Sequence, residues 1–201
     1  RKTVLSELGS KDSAWWDEKR WNDELAADLY GLAVDVTSRV GAGTAEQLGF
    51  DADDYSVERT LKFLRAVAES RASMINEATR RQITAALDDD LSDDAVKATP
   101  AGVFDEAESS RADLAGVTLA TTLTTFAVTE MGKQMGRPGV MKTWSTTSTN
   151  PRPSHAAMDG ETVPIDEPYS NNMMWPGDIS GAGGDVEEIA NCSCVSDLLL
   201  P

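Results

Sequence analysis

The residues best equipped for chemistry lie in the last quarter of the chain, which holds its single histidine, His155, and both cysteines, Cys192 and Cys194. Thiolates with an imidazole form a soft donor set suited to zinc, and Asp159 or Asp178 could supply a fourth ligand. Cys-x-Cys spacing places both thiols on one face of a strand, but it is tighter than the two to four residues usual between zinc-knuckle cysteines. A Cys–His nucleophile pair would need a lowered thiol pKa, an oriented base and an oxyanion hole. With one histidine, a Ser-His-Asp arrangement would also run through His155, and the chain has no Gly-x-Ser-x-Gly elbow. A Cys192–Cys194 disulfide would close a small, strained ring. The third reading is structural: Arg152, His155, Asp159 and Asn191 satisfy one another and the backbone beneath a small sheet, and the cysteines pack as small apolar groups. This reading carries the most weight. No catalytic residue is assigned, and a metal group of His155, Cys192, Cys194 and Asp159, with zinc as the ion, stays open beside it.

Long helices must position these groups. Trp21, Leu25, Leu29, Leu32, Val36 and Val40 recur at intervals of three and four, predicting an amphipathic helix over about 13–40 with Ser13 as its cap and Gly41 and Gly43 as stop signals. A second helix over about 56–87 carries Leu61, Leu64, Ala68, Ile75 and Ala78 and ends at the acidic knot Asp88-Asp89-Asp90, because carboxylates oppose a helix C-terminus. A third, over about 105–134, is apolar on nearly every side through Leu114, Val117, Leu119, Leu123, Phe126, Val128 and Met131. It is expected to be central and to end at Gly136 and Pro138.

After Pro138 the pattern turns to alternation. Val140–Ser145, Thr162–Ile165 and Cys194–Leu198 predict three short strands, and Gly160 and Pro176-Gly177 predict turns. The long Gly- and Pro-rich connection from Asp166 to Ala190 must be functional or tied down by partners. The fold class is therefore α+β: a bundle-like helical region at 1–137, then a small antiparallel, loop-rich subdomain at 138–201. Met173-Met174-Trp175 is an apolar loop cluster that could be core cover or a docking patch, with docking preferred. Trp15, Trp16 and Trp21 raise the same question, since one helix face cannot bury all three.

The 34 acidic residues outnumber 18 basic ones, for a net charge of -16. That argues against a broad phosphate-binding surface, so contact with DNA should be local at most. Aspartate exceeds glutamate, 20 to 14, and lysine is scarce at 7, a bias compatible with either solubility or life in concentrated salt, where screening shortens to about 3 Å at 1 M. No run approaches the roughly 20 apolar residues of a membrane span, and no apolar signal segment opens the chain. Starting at Arg1 fits a fragment or a processed product.

Five blocks occur in fixed order: Asn150-Pro151-Arg152-Pro153-Ser154-His155, Met158-Asp159-Gly160, Asp166-Glu167-Pro168, Pro176-Gly177-Asp178 and Asn191-Cys192-Ser193-Cys194, preceded by Trp144. In order and spacing, over about sixty residues, they resemble the C-terminal signature of the phage Mu F-like head morphogenesis proteins, minor capsid proteins of tailed viruses. Asn150 stands where an acid is common, and Ser193 where the family usually has arginine. The helical half is similar in layout only. The resemblance implies a noncatalytic virion protein, present in multiple copies at the portal vertex or capsid interior after assembly in the host cytoplasm. Its expected partners are the portal and other capsid proteins, with no membrane. It also implies a structural signature of Trp144, Arg152, His155, Asp159, Gly160, Pro176, Gly177, Asp178, Asn191, Cys192 and Cys194. The rivals are a metal- or thiol-dependent hydrolase using the His/Cys cluster and a C-terminal fragment of a portal fusion.

Overall fold

A computed structural model describes residues 15–88 and 99–201. The fold is α+β: long helices α1 (Glu18–Gln47), α2 (Leu61–Asp88) and α4 (Ser110–Gln134), with a short α3 (Pro100–Ala107). Strand β1 (Met141–Ser145), a single helical turn α5 (Pro153–Ala156) and strands β2 (Thr162–Pro164) and β3 (Val195–Leu199) follow. The predicted Ser13 cap lies outside the described residues, as do Asp89 and Asp90. The predicted third helix is two, because Thr99 caps a separate α3: its Oγ1 accepts from the Gly102 N–H at 3.1 Å, with Pro100 in the first turn.

Contacts divide the chain into two compact units. Among the described residues, one combines 15–32 with 62–88 and 99–113, and the other combines Ala33–Leu61 with Leu114–Pro201. In the first, Leu64, Ala68, Ala72, Thr79 and Ile83 form the buried stripe of α2. Trp16 stacks on Trp21 at 5.9 Å, and Trp15 meets Trp16 edge-on at 5.7 Å. Trp16 and Trp21 line a cavity of about 290 Å³ together with Leu25, Asn76 and Phe104. The surplus tryptophan surface is thus met largely by tryptophan.

In the second unit the predicted stop at Gly41 is overturned, since α1 continues to Gln47. Gly41 is a packing residue: a Cβ there would lie 2.3 Å from the Tyr55 ring. The buried positions of this stretch are Ala33, Thr37, Gly41 and Ala45, one residue on from the predicted Leu32, Val36 and Val40, and Leu32 is exposed. Small residues lie deepest here because neighbouring groups such as Tyr55 press close to the helix backbone.

Helix α4 is buried only from its third turn on, as Leu114 and Val117 are exposed. Its buried face includes Thr118, Thr121, Thr122, Thr125 and Thr129 beside Leu123, Phe126 and Met131. An 18-residue window within Pro100–Gln134 reaches a mean hydropathy of 1.2. That is long and apolar enough to cross a membrane by length and composition, and 56% of the window is buried within the fold.

The sheet is antiparallel with order β2-β1-β3. Lys142 pairs with Val163 on one side and Leu198 on the other, and Trp144 pairs with Ser196. Alternation along β1 turns Lys142 and Trp144 inward. Trp144 enters a core with Met158, Tyr169, Met173, Ile189, Cys192 and Cys194.

Candidate functional site

The signature residues assemble around Trp144 and α5. Pro153 opens the turn α5, leaving Arg152 extended at its N-cap and His155 inside. The Arg152 guanidinium donates from its two terminal nitrogens to the carbonyls of Glu188 and Ala190, each at 2.7 Å. That fork holds the turn preceding Cys192. Asn191 follows with φ 53°, and its N–H donates to Thr118 Oγ1 at 2.9 Å. Asparagine tolerates this left-handed conformation better than most residues.

His155 is 2% exposed, Cys192 4% and Cys194 3%. His155 Nδ1 lies 3.5 Å from Cys192 Sγ and 3.4 Å from Cys194 Sγ. Trp144 covers the imidazole edge-on, ring centres 5.2 Å apart. The other ring nitrogen, Nε2, is 3.4 Å from Glu188 Oε2, close enough for an ion pair but not aligned as a hydrogen bond. Ser154 Oγ steadies that carboxylate at 3.0 Å. Both cysteines are free thiols. The nearness of the two thiols divides them: Cys194 pushes the Cys192 thiol up, with burial adding to the effect, and Cys192 holds the Cys194 thiol down, with His155 helping and burial opposing. Among the described residues, the group able to hold a metal consists of His155, Cys192 and Cys194.

The proposed fourth ligands are engaged elsewhere. Asp159 Oδ1 accepts from the Thr146 N–H at 2.7 Å and closes the loop after β1. Asp178 accepts from the N–H groups of Met174 and Ser180, both at 3.0 Å. The expected mutual network of Arg152, His155, Asp159 and Asn191 takes another form: Arg152 and Asp159 bond to backbone, His155 lies against the cysteines and Glu188, and the Asn191 N–H is held by the Thr118 hydroxyl.

Gly160, at φ 82°, returns the chain to the sheet, its N–H donating to the Trp144 carbonyl at 2.8 Å. Pro176-Gly177 is a turn pinned to α4: Thr125 Oγ1 donates to the Pro176 carbonyl at 2.6 Å and Thr122 Oγ1 to the Gly177 carbonyl at 3.1 Å. Thr121 donates likewise to the Cys192 carbonyl. The docking patch expected of Met173-Met174-Trp175 is corrected, because Met173 is 1% and Trp175 7% exposed. Trp175 meets Phe126 edge-on at 5.0 Å, so the apolar cluster serves the core.

Sequence reasoning missed the α4 threonines, Glu188 and Lys142. The threonines were detectable, since 118, 121, 122, 125 and 129 trace one helical face. Lys142 is fully buried, its Nζ donating to the Met174 carbonyl at 2.7 Å and lying 5.1 Å from the centre of the Tyr169 ring. Burial pushes its pKa down to about 8. Comparison with family models, with curated proteins and with solved structures gave no match to this chain.

Proposed function

We propose that this chain is a noncatalytic minor capsid protein of a tailed virus, of the Mu F-like head morphogenesis kind, that associates with the portal and acts in head assembly and in genome packaging or delivery. The observation that carries the reading is the convergence of the signature. Trp144, Arg152, His155, Asp159, Gly160, Asn191, Cys192 and Cys194 span fifty residues of sequence, yet they meet in or around one buried core. Their bonds go to backbone and to one another, as expected of residues that specify a loop-rich fold. The protein would reside at the portal vertex or capsid interior in several copies, touching DNA locally if at all.

The hydrolase alternative has in its favour Cys194 and His155 at 3.4 Å. Both residues are 3% exposed or less, however, and a nucleophile needs access to its substrate. Co-expression with the portal protein of the same virus tests the proposal. A complex of fixed stoichiometry, and the chain's presence in purified virions, would support it. Separate elution of the two proteins together with absence from virions would overturn it.

A further inference from the structure

The two distances from His155 Nδ1 to the Cys192 and Cys194 sulfurs match those between ligands of one metal ion. Tetrahedral zinc, with Zn–S near 2.3 Å and Zn–N near 2.0–2.1 Å, sets its N and S ligands about 3.5 Å apart and two S ligands about 3.8 Å apart. Nδ1 lies 3.5 and 3.4 Å from the two sulfurs, and all three donor atoms fall within 4.8 Å of one another. We propose that His155 Nδ1, Cys192 Sγ and Cys194 Sγ bind a structural zinc ion that ties α5 to the start of β3.

The surroundings are those of a metal site. Coordination through Nδ1 leaves the imidazole proton on Nε2, and Glu188 Oε2 stands 3.4 Å from that nitrogen. A ligating histidine commonly turns its second nitrogen toward a carboxylate in this way. The carboxylate is itself held by Ser154, and the Glu188 carbonyl by Arg152. The Cys194 N–H points at Cys192 Sγ at 3.4 Å, which fixes the position of that sulfur beside its neighbour. The tight Cys-x-Cys spacing is accommodated because left-handed Asn191 turns the chain just before it, and both cysteines then face the core. Thr146 Oγ1 accepts from the Cys194 thiol at 4.0 Å and donates to the His155 carbonyl at 3.2 Å, which fastens the loop after β1 to both ligands. With all three ligands at least 96% buried, the ion would hold the fold together and would not meet a substrate.

The test is metal content of the full chain expressed in zinc-supplemented medium and purified without chelators. About one zinc per chain is expected, and cobalt substitution should give the intense thiolate-to-cobalt absorption of a tetrahedral site. Cys192→Ser, Cys194→Ser and His155→Ala should each lose the ion, whereas Asp159→Asn keeps it. Glu188→Gln should weaken zinc binding roughly 10–100-fold. Because ligand variants can fail to fold, the unaltered chain is also stripped with chelator. It should then melt at a lower temperature and recover with one equivalent of zinc. Less than about a tenth of an equivalent in the unaltered chain, with no cobalt–thiolate band, would overturn the proposal. So would equal zinc content in the Cys192→Ser/Cys194→Ser double variant. A zinc-free chain that still joins the portal would overturn the metal site alone and leave the capsid reading standing.

Discussion

Thr125 donates its hydroxyl to the carbonyl of Pro176 at 2.6 Å, across 51 positions of sequence, and so fixes the Pro-Gly turn onto the central helix. Thr125→Val keeps the shape but leaves that carbonyl buried and unpaired, so a loss of about 1–3 kcal/mol is expected in urea unfolding. Gly177→Ala should cost more. Its φ is 86°, and an added Cβ would lie 2.7 Å from Thr122 Oγ1 and 3.1 Å from Thr122 Cα. Gly183→Ala, at φ 67° with open space around it, provides the conformational cost alone. Equal losses at the two glycines would refute the close approach.

Arg152 should not be replaceable by lysine. The guanidinium reaches two carbonyls at 2.7 Å each, a forked geometry that an ammonium cannot reproduce. Arg152→Lys is expected to destabilise by about 1–3 kcal/mol and to hasten proteolysis near Glu188. An unchanged cleavage pattern would count against the clamp.

Asn191 acts through its backbone conformation. At φ 53°, Asn191→Gly should stay within about 0.5 kcal/mol of the original, whereas Asn191→Ala should lose about 1 kcal/mol. The order of the two melting temperatures checks this, and alanine matching glycine would refute it.

Lys142 should give the fold a distinct alkaline signature. Burial lowers its pKa from 10.5 to about 8, Lys133 acts in the same direction, and Asp166 and Asp178 oppose. The unfolded chain therefore holds more protons between those values, so stability attributable to this group rises from pH 8 to about 10.5 and is level below 8. Tyr169 and Tyr55, raised by burial from 10 to about 12, act in the opposite sense from about pH 10 upward, above the pH 9.5 measurement. Urea unfolding of the original and of Lys142→Met at pH 7 and pH 9.5 isolates the effect: the variant should lack the increment, and identical slopes would refute it.

Much of the architecture was legible in one dimension. Leu64 and Ala68 were assigned to the buried stripe of α2 from period alone, and strand alternation foretold β1 within a residue. The same periodicity misjudged Gly41, because a glycine that ends a helix and one that admits a Tyr55 ring look alike without the partner. It also misjudged Met173 and Trp175, since a loop's apolar residues are exposed or buried according to what packs over them.

What the sequence by itself determined is local and compositional: which stretches are helical or extended, where turns are cheap, the charge of -16, and the concentration of His155, Cys192 and Cys194 in the last quarter. Tertiary structure alone decided which polar groups meet. Asp159 and Asp178, equal candidates by residue type, were drawn to backbone amides, and Glu188, unremarked in the sequence, was brought to His155. A side chain's role depends on atoms within about 4 Å of it, and the threonine face of α4 and the Arg152 fork assemble those atoms from segments 30 or more residues apart.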